Sequence, residues 1–289
     1  MVPKGIKWLQ DHKVVTLMLV LAYFVFIVFM HGPMVHVSNY FQGMLGFGTY
    51  NKVVLVAYCL AAIGAATLLV TQIRKYPENR AVKLAYLFGT LGLIFIHSRF
   101  MFDSNVEAIH SLEFTFLAVL LFAMFNRFGA AIMFAVPFML VDELYQYWVL
   151  YPDFNDYFDL NDISMDIYGC CLAMTTLMIF GVKGEQQVKP LYKRIEFWAL
   201  IGMLGFFAIS FTTCFIAPYE FEKCNNTFLV LNKRMAIEPF WREHPISHVI
   251  YHVQKPMEAI ASFSTLVFIC FGLDSLRNDK LPQPNFSQP

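Results

Sequence analysis

The sequence predicts an all-α, polytopic membrane protein, a helix bundle with about eight transmembrane helices. Of its 289 residues, 58% are hydrophobic and only 15% are charged, against about 25% charged in an average soluble domain. The mean hydropathy is +0.54, and several apolar runs reach the roughly 20 residues that a helix needs to cross a bilayer. Acidic and basic residues number 21 each, which argues against nucleic-acid binding, because that function usually requires a basic excess.

Eight windows along the chain have the length and hydropathy of a transmembrane helix. Their apolar runs are continuous, which favours helices over strands. An even number of spans puts both termini on one side, and the Lys and Arg bias of the connecting segments predicts that this side is the cytoplasm. We expect one transmembrane domain over 1–280 and a disordered, proline-rich tail over 281–289. The windows are 13–32, 52–74, 81–98, 106–125, 128–150, 159–182, 195–217 and 247–272.

Ionisable residues concentrate at one end of the third to sixth spans. Each such group costs about 2.5–3.5 kcal/mol inside a membrane on insertion scales, so it marks function by default. On the predicted topology they all lie in the outer third of the membrane. The set comprises His97 at the end of the third span, Glu107, His110 and Glu113 on the fourth, Asp142, Glu143 and Gln146 on the fifth, and Asp159, Asp162 and Asp166 on the sixth.

Helical spacing brings parts of this set together. Asp159, Asp162 and Asp166 fall on one face, and Asp142 and Gln146 are one turn apart. Gly169 would let a neighbouring helix approach the sixth span closely. Some of these residues also have simpler explanations. Asp159 can cap its helix, Glu107 can be solvated among headgroups and His97 can be interfacial. Asp159, Glu107 and His97, together with Gln146, are therefore only supporting candidates.

Three kinds of chemistry suit such a cluster, and the sequence leaves all three open. The first is a divalent metal, the one candidate cofactor, bound by His110, Glu113, Asp162 and Asp166. The second is acid–base catalysis by crowded carboxyl groups that share protons. The third is a path for protons or cations. The catalytic candidates are Glu113, Asp142, Glu143 and Asp166.

A second polar set is predicted on the eighth span. His244, His248 and His252 repeat every four residues, and Pro245 stands at a helix-starting position, so His248 and His252 would share a helical face and could support the site. Pro256 is expected to kink this helix, and Glu258 is expected to pair with Lys255. Cys214 and Cys224 lie near the same membrane face. The sequence does not decide whether a disulfide joins them. Tyrosines around 145–157 form an aromatic belt or wall a lipid pocket.

The segment of about 90–182, the third to sixth spans, resembles the VanZ-like family. The resemblance rests on Asp142-Glu143 with Gln146 three residues on, Pro152 in the following turn, Asp159 and Asp162 at the next helix start, and then Asp166 and Gly169. His110 stands where that family often has a histidine. The family's usual Arg is missing from the Pro turn, and Asp166 stands where Asn is common. The resemblance implies a membrane protein of the bacterial envelope, in a family linked to glycopeptide resistance.

The leading hypothesis is an enzyme that acts on a lipid or lipid-linked small molecule by metal-assisted or acid–base chemistry. It would reside in the bacterial cytoplasmic membrane with its site facing the extracytoplasmic side. Two other classes remain as alternatives. One is a proton- or cation-coupled transporter, and the other is a non-catalytic membrane scaffold or resistance accessory protein.

Overall fold

The computed structural model describes residues 4–75, 79–102, 104–152, 156–182, 184, 190–233, 241–243, 248 and 250–275. Over these residues the protein is an all-α bundle with two small two-stranded sheets. Seven of the described helical segments are long and apolar enough to cross a membrane. The prediction of a polytopic, integral membrane helix bundle is therefore confirmed.

The helices follow the predicted order, although several bounds differ. A 3-10 turn over Asn105–Ile109 precedes α5, and a π-helical turn over Gln146–Leu150 continues α6. The helices are α1 Lys4–Asp11, α2 Lys13–Leu45, α3 Phe47–Lys75, α4 Arg80–Phe100, α5 His110–Phe125, α6 Phe128–Tyr145, α7 Leu160–Ile179, α8 Ile195–Thr212 and α9 Pro256–Ser275. Strands β1 (Ile216–Ala217) and β2 (Leu229–Val230) pair in parallel, and β3 (Trp241–Glu243) and β4 (Ile250–His252) pair antiparallel.

Helix α7 forms the centre of the bundle and is buried along most of its length. It packs against α4, α5, α6 and α9, most extensively against α5. At the α5–α7 crossing, a Cβ added to Gly169 would lie 2.0 Å from the backbone oxygen of Ser111. The predicted close approach at Gly169 is thus confirmed, and Thr115 on α5 reinforces it by donating a hydrogen bond to the Gly169 carbonyl at 2.9 Å.

Helices α2 and α3 are longer than their predicted windows. They have 33 and 29 residues. At 1.5 Å per residue they span about 50 and 43 Å, more than the roughly 30 Å of a hydrocarbon core. Gly46, with a positive φ of 75°, joins them. The end of α2 and the start of α3 therefore form a helical hairpin, called here the α2–α3 hairpin (residues 31–58), that extends past the length needed for spanning.

The prediction for the eighth span is wrong at its N-terminal end. The chain enters this region as the β3–β4 hairpin, and α9 begins only at Pro256. Proline suits a first helical position, where its fixed φ is already helical and its missing N–H costs nothing. It therefore starts the helix and does not kink it. His248 and His252 precede α9, so the shared helical face predicted for them does not exist. His244 and Pro245 lie outside the described residues.

The opposite end of the bundle carries its own polar contacts. Arg127, at the start of α6, forms a buried ion pair with Glu196 on α8. The Lys13 ammonium donates to the carbonyl of Ala123 at 2.7 Å, near the C-terminal end of α5. Cys214 and Cys224 are both free thiols in this structure, so no disulfide joins these two residues here.

Candidate functional site

A cavity of about 590 Å³ lies at the end of the bundle where α4 and α6 end and α5 and α7 begin. The α2–α3 hairpin forms one wall, and the starts of α5 and α7 with the end of α6 form the other. Polar and apolar side chains share the lining. Of the predicted site residues, the lining includes Glu107, His110, Glu113, Glu143, Gln146, Asp159 and Asp162.

The imidazole of His110 lies among three carboxylates. Its Nε2 is 3.5 Å from Asp162 Oδ2, and its Nδ1 is 3.4 Å from Asp166 Oδ1 and 3.9 Å from Glu113 Oε2. His110 is the first residue of α5, and the two aspartates lie on the first two turns of α7. The crossing of Ser111 over Gly169 brings these helix starts together, which explains why the cluster forms.

His110 is only 4% exposed, yet it lines the cavity. Its Nδ1 has no hydrogen-bond partner among the described residues, because the contact with Asp166 lacks hydrogen-bond geometry. One oxygen each of Glu113, Asp142 and Asp166 is likewise buried without a hydrogen bond in the described part of the chain. The cluster therefore has unused hydrogen-bonding capacity next to a cavity.

The acidic pair on α6 serves two different contacts. Gln146 Nε2 donates to Asp142 Oδ2 at 3.0 Å, so the predicted one-turn pairing is confirmed. Glu143 Oε1 accepts the backbone N–H of Asp159 at 2.8 Å and ties the end of α6 to the start of α7. Asp159 Oδ1 accepts from the backbone N–H of Asn161 at 2.9 Å, which confirms its role as the N-cap of α7.

The four predicted metal ligands come together, although not as a metal cage. Among the described residues, no group of three or more His, Cys, Asp or Glu side chains is arranged to hold a metal ion. A histidine normally binds a metal through one ring nitrogen, whereas both nitrogens of His110 face carboxylates across 3.4–3.5 Å. The carboxylates are divided between the two ring nitrogens, with Asp162 at Nε2 and with Asp166 and Glu113 at Nδ1.

Three predicted supporting residues lie elsewhere. His97 is buried and donates from Nε2 to the Asn161 carbonyl at 2.9 Å, so it holds α4 against α7. His248 is exposed and contacts Glu243 at 2.5 Å. His252 contacts Glu258 at 3.0 Å, and the same Glu258 oxygen accepts the backbone N–H of Lys255. The predicted Lys255–Glu258 contact therefore exists through the backbone of Lys255.

The α2–α3 hairpin contributes residues to the cavity that were not predicted from the sequence. The His31 ring lies 5.7 Å from the His110 ring and 6.5 Å from the Tyr151 ring, centroid to centroid. His31 could have been predicted in the same way as the ionisable residues of the third to sixth spans. It lies at the predicted outer end of the first span, at a depth similar to theirs. Tyr50 and Tyr58 line the same wall, and no spacing in the sequence indicates their position.

The cavity carries an excess of acidic groups. Arg242 is the one Lys or Arg among its described lining residues, and its guanidinium lies 4.6 Å from the ring centroid of Tyr157. Burial raises the pKa of the Asp159 carboxyl, and the nearby Asp162 charge raises it further. Burial also raises the pKa of the Tyr157 hydroxyl. The acidic lining residues are Glu107, Glu113, Glu143, Asp156, Asp159 and Asp162.

Fold and site together define the class as an integral membrane helix-bundle protein with a histidine–carboxylate cluster beside a cavity. No family model, no curated protein and no solved structure matches the chain. The resemblance to the VanZ-like family therefore stays a prediction.

Proposed function

We propose that the protein is a membrane enzyme that acts on a lipid or lipid-linked small molecule by acid–base chemistry at His110. One observation carries the proposal: an imidazole placed among Asp162, Asp166 and Glu113 lines a cavity at the end of a transmembrane bundle. An imidazole in that setting can accept a proton from a reacting hydroxyl or water and return it to a leaving group.

The side chains around His110 would orient it, supply a second acid or base and shape the cavity wall. Asp166 and Asp162, on either side of the ring, would orient the imidazole and stabilise its cationic form. Glu113 has a buried oxygen that no described residue hydrogen-bonds, and it would serve as the second acid or base. Asp142, oriented by Gln146, would add negative charge behind the ring. Glu143 would both bond to the start of α7 and line the cavity wall.

The cavity suits the polar part of an amphiphile. Its volume falls within the roughly 300–1,000 Å³ of typical small-molecule sites. Apolar Met34, Val35 and Val37 from α2 line it opposite the carboxylates. Because α2 extends past the length that a bilayer requires, the cavity would lie near headgroup depth. We therefore place the reacting bond close to the headgroup, at the extracytoplasmic face of a bacterial envelope membrane.

Metal assistance remains a variant of this proposal. The candidate ligands would be His110, Glu113, Asp162 and Asp166, and a divalent ion there would polarise the substrate and offset the crowded negative charge. Elemental mass spectrometry of the purified protein, beside a Glu113→Gln/Asp166→Asn double variant, separates the two. A stoichiometric metal lost in the variant would favour metal assistance, and no metal in either protein would favour acid–base chemistry alone.

The two other classes have less support. Transport would need polar groups along the bundle, whereas the described core that follows the cluster on α5 is apolar through Phe114, Leu117, Leu121 and Phe122. A scaffold would explain Glu143 and Asp159, which bond to the backbone at the start of α7. It would not explain the unused hydrogen-bonding capacity of His110.

The test uses purified protein reconstituted into liposomes of total bacterial lipid. Lipid mass spectrometry after incubation should detect a species converted by the wild type and not by His110→Gln or Asp166→Asn. Glu222→Gln, on the exposed 3-10 turn Glu220–Glu222, is the matched control for loss of one acidic charge and should retain conversion. Full conversion by both cluster variants, at equal folded protein, would refute the site.

A further inference from the structure

We propose that the cavity binds an organic ammonium group, as the headgroup of an amphiphile or as a free amine. This inference rests on the proposed function and deepens it by naming the charge of the group that the same cavity takes. It is carried by the juxtaposition, around one space, of carboxylates, tyrosine rings and an imidazole whose Nδ1 has no hydrogen-bond partner among the described residues.

Charge is the first argument. Carboxylates line the cavity from separate elements, with Glu107 on the turn before α5, Glu113 on α5, Glu143 on α6 and Asp159 at the start of α7. Against them stands one described lining residue with a permanent positive charge, Arg242. A phosphate or carboxylate headgroup would meet a net repulsive field here, whereas an ammonium group would offset the repulsion among the acids.

Aromatic rings are the second argument. Tyr50 and Tyr58 line the wall from α3, and Tyr151, Tyr157 and Tyr251 line the opposite side. A cation over a tyrosine face is attracted by the ring quadrupole, and rings with carboxylates are a common recognition site for ammonium groups. The wall already has one such contact, since the Arg242 guanidinium lies 4.6 Å from the Tyr157 ring centroid.

The third argument is the unused hydrogen-bonding capacity. His110 is 4% exposed and lines the cavity, and its Nδ1 has no hydrogen-bond partner in the described part of the chain. Glu113 Oε2, next to it, is also buried and accepts no hydrogen bond from the described residues. Buried polar groups are normally satisfied. A ligand with N–H or hydroxyl donors beside its positive charge would supply partners to these atoms, whereas a quaternary ammonium probe tests the charge and the rings alone.

Binding is tested with probes that share a decyl chain and carry a cationic, an anionic or a neutral headgroup. The full-length protein in neutral maltoside micelles is titrated with decyltrimethylammonium, decyl phosphate and decyl glucoside, and thermal shifts give apparent Kd values. We expect decyltrimethylammonium to bind about tenfold more tightly than the other two. Tetramethylammonium is the fourth probe. Comparable binding of this probe identifies a free ammonium ion as sufficient, and binding only with the decyl chain identifies an amphiphile.

Two cavity variants and one control assign the binding to this site. Glu107→Gln removes one carboxylate and Tyr58→Leu removes one ring, and each should weaken decyltrimethylammonium binding about tenfold. Glu222→Gln should leave it unchanged. Size-exclusion profiles establish that each variant is folded, and two chemically different variants guard against one that is not.

Equal affinity for the three decyl probes would overturn the proposal, as would tighter binding of decyl phosphate that Arg242→Gln abolishes. Unchanged ammonium binding in both cavity variants would also overturn it. Binding is measured without turnover, so its outcome is separate from that of the proposed function. A lipid conversion that requires His110, together with no ammonium preference, would retain the enzyme and reject this substrate class.

Discussion

Replacing Gly169 with alanine should force apart the two helices that carry the histidine–carboxylate cluster. The new methyl group would lie 2.0 Å from the Ser111 carbonyl oxygen, about 1.4 Å short of the 3.4 Å at which ordinary contact begins. Both partners of this clash are fixed to helix backbone, so no side-chain rotation relieves it. Helix α5 must move away from α7 by about that distance or the backbone must distort.

The cost follows from how tightly this crossing is packed. Overpacking a close-packed interior typically costs 1–3 kcal/mol, occasionally more, and a backbone clash belongs at the upper end of that range. The Thr115 hydrogen bond to the Gly169 carbonyl would also lengthen. We expect the free energy of unfolding to fall by about 3 kcal/mol. Lipid conversion should fall with it, because His110 adjoins Ser111 and would move away from Asp166.

Unfolding in mixed micelles, followed by circular dichroism, measures the change. Gly92→Ala is the matched control, since Gly92 lies inside α4 and a Cβ there would meet no atom of the described residues within 4 Å. That variant should be neutral or more stable by up to about 1 kcal/mol, because alanine has less backbone entropy to lose. Equal unfolding free energies for the two variants would refute the close crossing and the argument built on it.

Substitutions at two further positions, Glu143 and Asn161, test how the site is held. Glu143→Gln retains an oxygen acceptor for the Asp159 N–H, so its unfolding free energy should stay within about 0.5 kcal/mol of wild type, whereas Glu143→Ala should lose about 1–3 kcal/mol. Conversion by Glu143→Gln at the wild-type rate would mark Glu143 as a helix tether and remove it from the catalytic candidates. Asn161→Ala should cost about 3 kcal/mol, because its side chain makes three hydrogen bonds to the end of α4 and the segment around β4. Asn226→Ala, which removes one exposed bond, should cost under about 1 kcal/mol, and a similar loss in both would contradict this role for Asn161.

Local helical geometry accounts for what the sequence predicted correctly about the site. The cap at Asp159, the Asp142–Gln146 pair and the close approach at Gly169 depend on neighbours within one or two turns, or on the absence of a side chain. The gathering of ionisable residues at one end of the third to sixth spans followed from hydropathy alone. These relations hold wherever the helices pack, so no tertiary information was needed to state them.

The C-terminal histidines show where such reasoning fails. Their four-residue spacing matches a helix, and Pro245 matches a helix start. The chain instead pairs Trp241–Glu243 with Ile250–His252 as strands, in part because the Asn161 side chain bonds to the His252 carbonyl and the Gln254 N–H. Long-range hydrogen bonds therefore override a local periodicity at this position. The spacing of the histidines alone does not indicate that these long-range hydrogen bonds compete with the helix.

The sequence by itself determined that this chain crosses a membrane as helices and that its ionisable groups gather at one end, since both follow from the high free energy of polar groups in hydrocarbon. Tertiary structure alone decided that both His110 nitrogens face α7 carboxylates and that Glu143 bonds to the Asp159 backbone. It also decided that the α2–α3 hairpin encloses the site with His31, Tyr50 and Tyr58. These contacts join residues far apart in the chain, and their distances depend on how deeply the helices interlock at crossings such as Gly169 over Ser111.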